Sequence, residues 1–101
     1  MIKPDDVTPD HFRPHVRKLF RVEGGRHAFT LIDIDQRQLQ SWETAIVPRQ
    51  PFNLIFSGPP GDVLPEGAYT FTVDGGPTFE FHVMPIHTLA RDRQNYQAVF
   101  S

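Results

Sequence analysis

Tyr69-Thr70-Phe71-Thr72-Val73, then Asp74-Gly75-Gly76-Pro77, then Thr78-Phe79-Glu80-Phe81-His82-Val83: this is the stretch on which the fold turns. Tyr69, Phe71 and Val73 alternate with threonines, and Phe79, Phe81 and Val83 alternate with Glu80 and His82. Side chains on a strand point to opposite faces in turn, so a period of two with one apolar face marks a half-buried antiparallel strand. Between the two arms, Asp74-Gly75-Gly76 supplies the positive φ that a tight hairpin demands. The segment predicts a β-hairpin with an aromatic inner face.

The same period recurs on either side. Phe52, Leu54 and Phe56 alternate with Asn53 and Ser57, and Gly58-Pro59-Pro60-Gly61 ends that strand because it cannot continue a ladder. Pro65-Glu66-Gly67 marks another turn. After a polar loop from Thr88 to Arg93, Tyr96, Ala98 and Phe100 alternate against Gln97 and Ser101. Upstream, Lys18-Leu19-Phe20-Arg21-Val22 and a β-rich run from His27 to Asp35 flank Gly24-Gly25, which reads as a second hairpin. Its second arm carries Phe29 and Leu31 on one face but Ile32 and Ile34 on the other. That flip predicts a bulge, or a strand covered on both faces. Thr8-Pro9 has the cap and first-turn chemistry of a helix, and Pro14 limits it to about a turn within residues 8–16. Phe12 and Val16, four apart, lie on one side of that turn and can plug an open end of a barrel or sandwich. In residues 36–50, Leu39, Trp42 and Ile46 are spaced like a helix face, whereas Thr44 to Val47 favours a strand. That stretch reads as an irregular crossover with some strand character.

Six strands of about five to eight residues, with no βαβ spacing between them, cannot form an open sheet without leaving its apolar face wet. The expected fold is all-β: a small antiparallel barrel or compact sandwich of about six strands with one short N-terminal helical turn. Residues 1–101 are expected to form a single β domain, since a chain of 101 residues is too short to close two cores. Disorder is excluded by 39% hydrophobic and 12% aromatic content. The absence of cysteine removes disulfides, thiolate metal sites and cysteine nucleophiles together. Ten Lys plus Arg against 12 Asp plus Glu leave a net charge of −2, which gives no electrostatic reason to bind nucleic acid or an acidic membrane. Met1-Ile2-Lys3-Pro4-Asp5-Asp6 lacks the pattern of a secretory signal, and no apolar run reaches the ~18 residues of a membrane span. A soluble cytoplasmic chain is expected.

Several constellations could carry chemistry, and each has a simpler reading. His11 and His15 are four apart and could ligate zinc or nickel from one helix face, but Pro14 distorts the helix and no third ligand is evident. His82 and His87 are too far apart to act as a pair by themselves. Ser41, Ser57 and Ser101 with the aspartates and histidines could compose a triad on paper, yet no Gly-x-Ser-x-Gly elbow is present. Asp33 and Asp35 share a strand face, as paired catalytic carboxylates would, and also as charges that discourage edge pairing would. Catalysis requires at least two of His27, Asp33, Asp35 and His82 within hydrogen-bond reach. The glycine groups lack the lysine and helix start of a phosphate loop and read as turns. Arg13, Arg17, Lys18, Arg21 and Arg26 cluster near phenylalanines, as in an oligonucleotide-binding barrel, but the phenylalanines are better assigned to core. No catalytic residue, metal or cofactor is expected, so the chain reads as a non-enzyme.

Beyond these patterns, Pro51-Phe52-Asn53-Leu54-Ile55-Phe56-Ser57-Gly58-Pro59, Leu64-Pro65-Glu66-Gly67-Ala68-Tyr69, Met84-Pro85-Ile86 and Tyr96-Gln97-Ala98-Val99-Phe100-Ser101 form a recognisable series. The chain resembles the DUF6916 family, small bacterial proteins of unknown function, and Phe12 to Phe20 looks like that family's N-terminal signature. Residues 36–50 do not look like a family signature. The resemblance implies no activity, catalytic residue or cofactor. It does imply association with tail-collar or phage-tail-like genes, which favours an assembly or binding role. Read physically, Gly58 and Gly67 fit a positive φ or a close backbone approach, and Pro59 and Pro65 stiffen the connection between two strands. Tyr69 and Tyr96 are expected to bury their rings while holding the hydroxyl at a wet edge.

The expected function is therefore a noncatalytic protein-interaction or assembly module, linked to phage-tail-like or tail-collar systems. Its partner is another protein or a second copy of itself, and the contact surface comprises loops 36–50, 58–67 and 87–94. Trp42, Arg49, Gly58, Pro59, Pro60 and Gly61 are the candidate contacts. Trp42 suits either an exposed anchor or the core. The alternative is a small-ligand or carbohydrate binder using a barrel mouth.

Overall fold

The computed structural model describes residues 2–36 and 51–100. Six strands run in chain order: β1 Leu19–Val22, β2 Ala28–Gln36, β3 Phe52–Gly58, β4 Gly67–Val73, β5 Thr78–Pro85 and β6 Gln94–Phe100. They close into a barrel in the order β1-β2-β3-β6-β5-β4, with every neighbouring pair antiparallel. Closure decides between the two architectures open to the sequence. Both predicted hairpins are present, as β1–β2 and β4–β5, and Gly24 and Gly75 adopt the positive φ their turns need, 78° and 69°.

The register defines two ends. Gly58 lies opposite Gln94, so the 59–66 and 86–93 connections leave the barrel side by side, together with the β1–β2 turn. Phe52 lies opposite both Gln36 and Phe100, so the N-terminal segment, the β4–β5 turn and the flanks of residues 37–51 gather at the other end. The pairing of β2 with β3 shifts between Leu31 and Asp33. That is the predicted bulge: it keeps Phe29 and Leu31 inside, lets Ile34 pack on the core, and turns Asp33 and Asp35 to solvent.

All nine phenylalanines are buried in the core. Phe71 and Phe81 stack at 4.3 Å, Phe52 and Phe100 at 4.6 Å, and the fully buried Tyr96 lies 4.3 Å from Phe29. At the N-terminal end the predicted helical turn is present as α1, Pro9–Phe12, followed by a 3-10 turn at Arg13–His15. Its Phe12 ring enters the barrel, with centroids 4.6 Å from Phe79, 5.7 Å from Phe100 and 6.1 Å from both Phe52 and Phe81. Strands β5 and β6 pair only at Met84–Gln97 and Pro85–Tyr96, and diverge toward this end. Ile2 lines the open stretch of β5 with two backbone hydrogen bonds, donating to Thr78 O and accepting from Glu80 N–H, each at 2.9 Å. Arg17, with φ 75°, turns the chain from this plug into β1; its N–H donates to Leu31 O at 2.7 Å, which holds a backbone conformation costing about 1–2 kcal/mol.

Candidate functional surface

The loop end is built from two connections that the sequence marks by Pro and Gly in one case and by polarity in the other. Residues 59–66 are tied down at several points. The Arg26 guanidinium donates two hydrogen bonds to Asp62, at 2.7 and 3.1 Å, and lowers the pKa of that carboxyl, with smaller help from His27, whose Nε2 is 3.4 Å from Asp62 Oδ1. The Tyr69 hydroxyl donates to Pro65 O at 2.7 Å, and Glu66 lies 3.0 Å from His82 Nε2. Leu64 is buried, and its N–H donates to the Tyr96 hydroxyl at 2.9 Å. Burial pushes the Tyr96 phenol up, against the opposing pull of that N–H and with a further push from Asp62. The Tyr96 hydroxyl is thus not at the wet edge expected from an amphipathic ring. The loop folds over it because Leu64 is apolar and seals the barrel there.

Gly58, Pro59, Pro60 and Gly61 are divided by the structure. Pro59, Pro60 and Gly61 are exposed, and Gly61 has φ 78°. Gly58 is instead the last residue of β3, where an added Cβ would stand 2.5 Å from Phe29 Cδ1 and 3.2 Å from Tyr96 Cε1. Of the two expectations for this glycine, close approach is the one realised. Trp42 and Arg49 lie outside the described residues. The flanks of their segment sit at the end opposite loops 58–67 and 87–94, so the three predicted contact loops do not leave the barrel on one side.

Residues 86–93 form a second pinned loop. Thr88 Oγ1 donates to Ile86 O at 3.0 Å and accepts from Asn95 N–H at 2.9 Å; Gln94 Nε2 donates to Ile86 O at 2.8 Å. This bracing leaves Leu89 at 87% exposure, with Val63 at 47% on the adjoining connection. On the outer wall Val99 is 54% exposed. The sequence reading passed over all three. The signal was present in the alternation of Tyr96, Ala98 and Phe100, which points Val99 outward, and in a lone Leu89 among polar residues.

The candidate chemical groups are dispersed. His27 stands beside Asp62, His82 beside Glu66, and Asp33 and Asp35 project from the outside of β2. His11 Nδ1 is taken up in the helix cap, accepting from Thr8 N–H at 2.9 Å, while His15 packs edge-on against Phe20 and Phe79. Burial, aided by the Lys18 charge, lowers the pKa of His15. Among the described residues no three His, Asp or Glu side chains stand close enough to hold a metal ion. Of the basic cluster, Arg13 pairs with Asp10, Arg21 with Asp74 and Arg26 with Asp62. Within the same residues no helix is long and apolar enough to cross a membrane.

The fold and surface define a small, closed antiparallel β-barrel whose interior is filled by its own aromatic side chains. A family model described as a domain of unknown function, DUF6916, matches residues 7–100, and the chain belongs to that family. No curated protein and no solved structure matches the chain.

Proposed function

We propose that this protein is a noncatalytic protein-interaction or assembly module that works through its outer surface. The observation that carries this reading is the contrast between inside and outside. Phe12 fills one end of the barrel and Leu64 over Tyr96 fills the other, while Leu89 is held out in water by a hydrogen-bonded loop. An exposed leucine on a braced loop is already ordered for contact, so little entropy is lost on docking. A role in phage-tail-like or tail-collar systems, suggested by the family resemblance, is compatible with a module of this kind. A small ligand or carbohydrate at a barrel mouth would require Phe12 or Leu64 to move aside.

The test is site-specific photo-crosslinking in the native host, with the probe at position 89 and a control probe at the exposed Ala68 on β4. The expected result is a protein adduct at 89 that is absent at 68 and is reproduced with purified components. Failure to form any protein adduct from positions 89, 63 or 99 overturns the proposal.

A further inference from the structure

Two sets of exposed charges on the outer surface stand beside outward apolar side chains. Arg13, Arg21 and Arg26 each meet an aspartate of this chain, but Arg91 and Arg93, which follow Leu89, are exposed and form no ion pair among the described residues. With Asp92 between them, the tip beside Leu89 carries a formal charge of +1, two arginines less one aspartate. Asp33 and Asp35 are likewise exposed and have no ion-pair partner among the described residues. Arg91 and Arg93 thus flank an apolar knob.

The aspartates border a strip whose apolar members are Ile55 and Val99, with Asn53 and Gln97 between them. Residues directly opposite on neighbouring strands share a face, and the register aligns Asp33 with Ile55 and Gln97, and Asp35 with Asn53 and Val99. Strands lie about 4.8 Å apart, so half-buried Ile55 adjoins Asp33 and exposed Val99 stands about 10 Å from Asp35. All of these side chains point outward, because Leu54, Phe56 and Ala98 between them point in.

We infer that the partner includes a second copy of this chain: the Leu89 knob of one molecule docks on the Ile55–Val99 strip of the next, with Arg91 and Arg93 against Asp33 and Asp35. The inference rests on the protein-interaction reading and names its occupant. Charge complementarity supports it, since each half of the contact lacks an ion-pair partner among the described residues and is opposite to the other in sign, with apolar side chains at its centre. The knob is at the loop end and the strip is on the wall near the plugged end. The contact therefore joins two different patches, made twice across a two-fold axis in a closed dimer or once per molecule in a ring or open chain.

The experiment is analytical ultracentrifugation of the full chain over a concentration series. Wild type is compared with Leu89→Asp, with Arg91→Glu/Arg93→Glu, with Asp33→Arg/Asp35→Arg, and with both reversals combined. Self-association is expected to weaken about tenfold or more in each of the first three and to return to within about threefold of wild type in the last. Thermal melts verify folding, and the Leu89 and arginine variants, on an exposed loop, carry the test alone should the strand variant fail to fold. A wild type that is monomeric throughout, or self-association indifferent to both reversals, overturns the inference. Should a purified monomer coincide with a crosslink from position 89 to a different protein, self-docking falls and the interaction reading stands. With no protein adduct at all, both fall.

Discussion

Replacing Gly58 by alanine sets two opposing effects against each other at one atom. Gly58 does not have a positive φ, so its backbone suits alanine, and the restricted unfolded chain would by itself raise stability by about 0.4–1 kcal/mol. Against this, the new methyl carbon would stand 2.5 Å from Phe29 Cδ1 and 2.8 Å from Cε1. The Phe29 ring cannot retreat easily, because it is fully buried with Tyr96 4.3 Å and Phe71 6.4 Å away. Overpacking of this kind costs about 1–3 kcal/mol. The steric term wins, leaving a net loss of about 1–2 kcal/mol, which in a domain of this size lowers Tm by roughly 5–15 °C. Calorimetry with urea titration reads it directly. In a double-mutant cycle, Phe29→Leu opens space for the methyl, so the two changes together should cost less than their sum by about 0.5–3 kcal/mol. If Gly58→Ala raises the melting temperature, the close approach of β3 to the Phe29 ring is not a constraint and the reasoning is wrong.

Phe12→Ala should remove about 3–5 kcal/mol, because the ring packs inside the barrel and its loss leaves a cavity among Phe79, Phe100 and Phe52; denaturant midpoints check it. For Tyr96→Phe, which strands the buried Leu64 N–H, the expected cost is about 1–3 kcal/mol, with faster amide exchange at Leu64 and normal exchange in β4. Burial lowers the folded pKa of His15 below its ordinary 6.5, so the unfolded chain binds the extra proton first. Its contribution is fully present above pH 6.5 and is lost as pH falls through the folded value, so His15→Gln should flatten the stability profile on the acid side of 6.5. The pairs Arg26–Asp62 and Arg21–Asp74 lower their carboxyl pKa values below the ordinary 3.8, so their share is present above 3.8 and disappears only at more acidic pH. Losses beginning near neutrality and losses beginning in strong acid are separable in one pH series of thermal melts.

Alternation of aromatic and polar residues is enough to place all six strands, since side-chain direction along a strand has a period of two whatever surrounds it. The change of phase was legible for the same reason: the switch from Phe29 and Leu31 to Ile32 and Ile34 allows a bulge or a strand covered on both faces, and the register shift between Leu31 and Asp33 realises the bulge. The plug was legible through Thr8, Pro9 and Phe12. The surface was less so. Gly58 reads identically as a loop residue or as a gap for a ring, and the ring that needs the gap lies 29 residues earlier, at Phe29. Leu89 stands out in the sequence as a lone leucine in a polar loop, but the hydrogen bonds from Thr88 and Gln94 that brace this loop are announced by no local pattern.

The chain's own order of residues determined which faces are apolar, where the turns fall and that the product is a closed or stacked β structure. Those properties follow from local sterics and from the demand that one face leave water. Strand order, the match of Asp33 and Asp35 with Ile55 and Val99 across β3 and β6, the gathering of the 59–66 and 86–93 loops at one end, and the sealing of Tyr96 by Leu64 were decided only in three dimensions. Each joins residues far apart in sequence, and antiparallel pairing constrains which strands meet only once the whole barrel has closed.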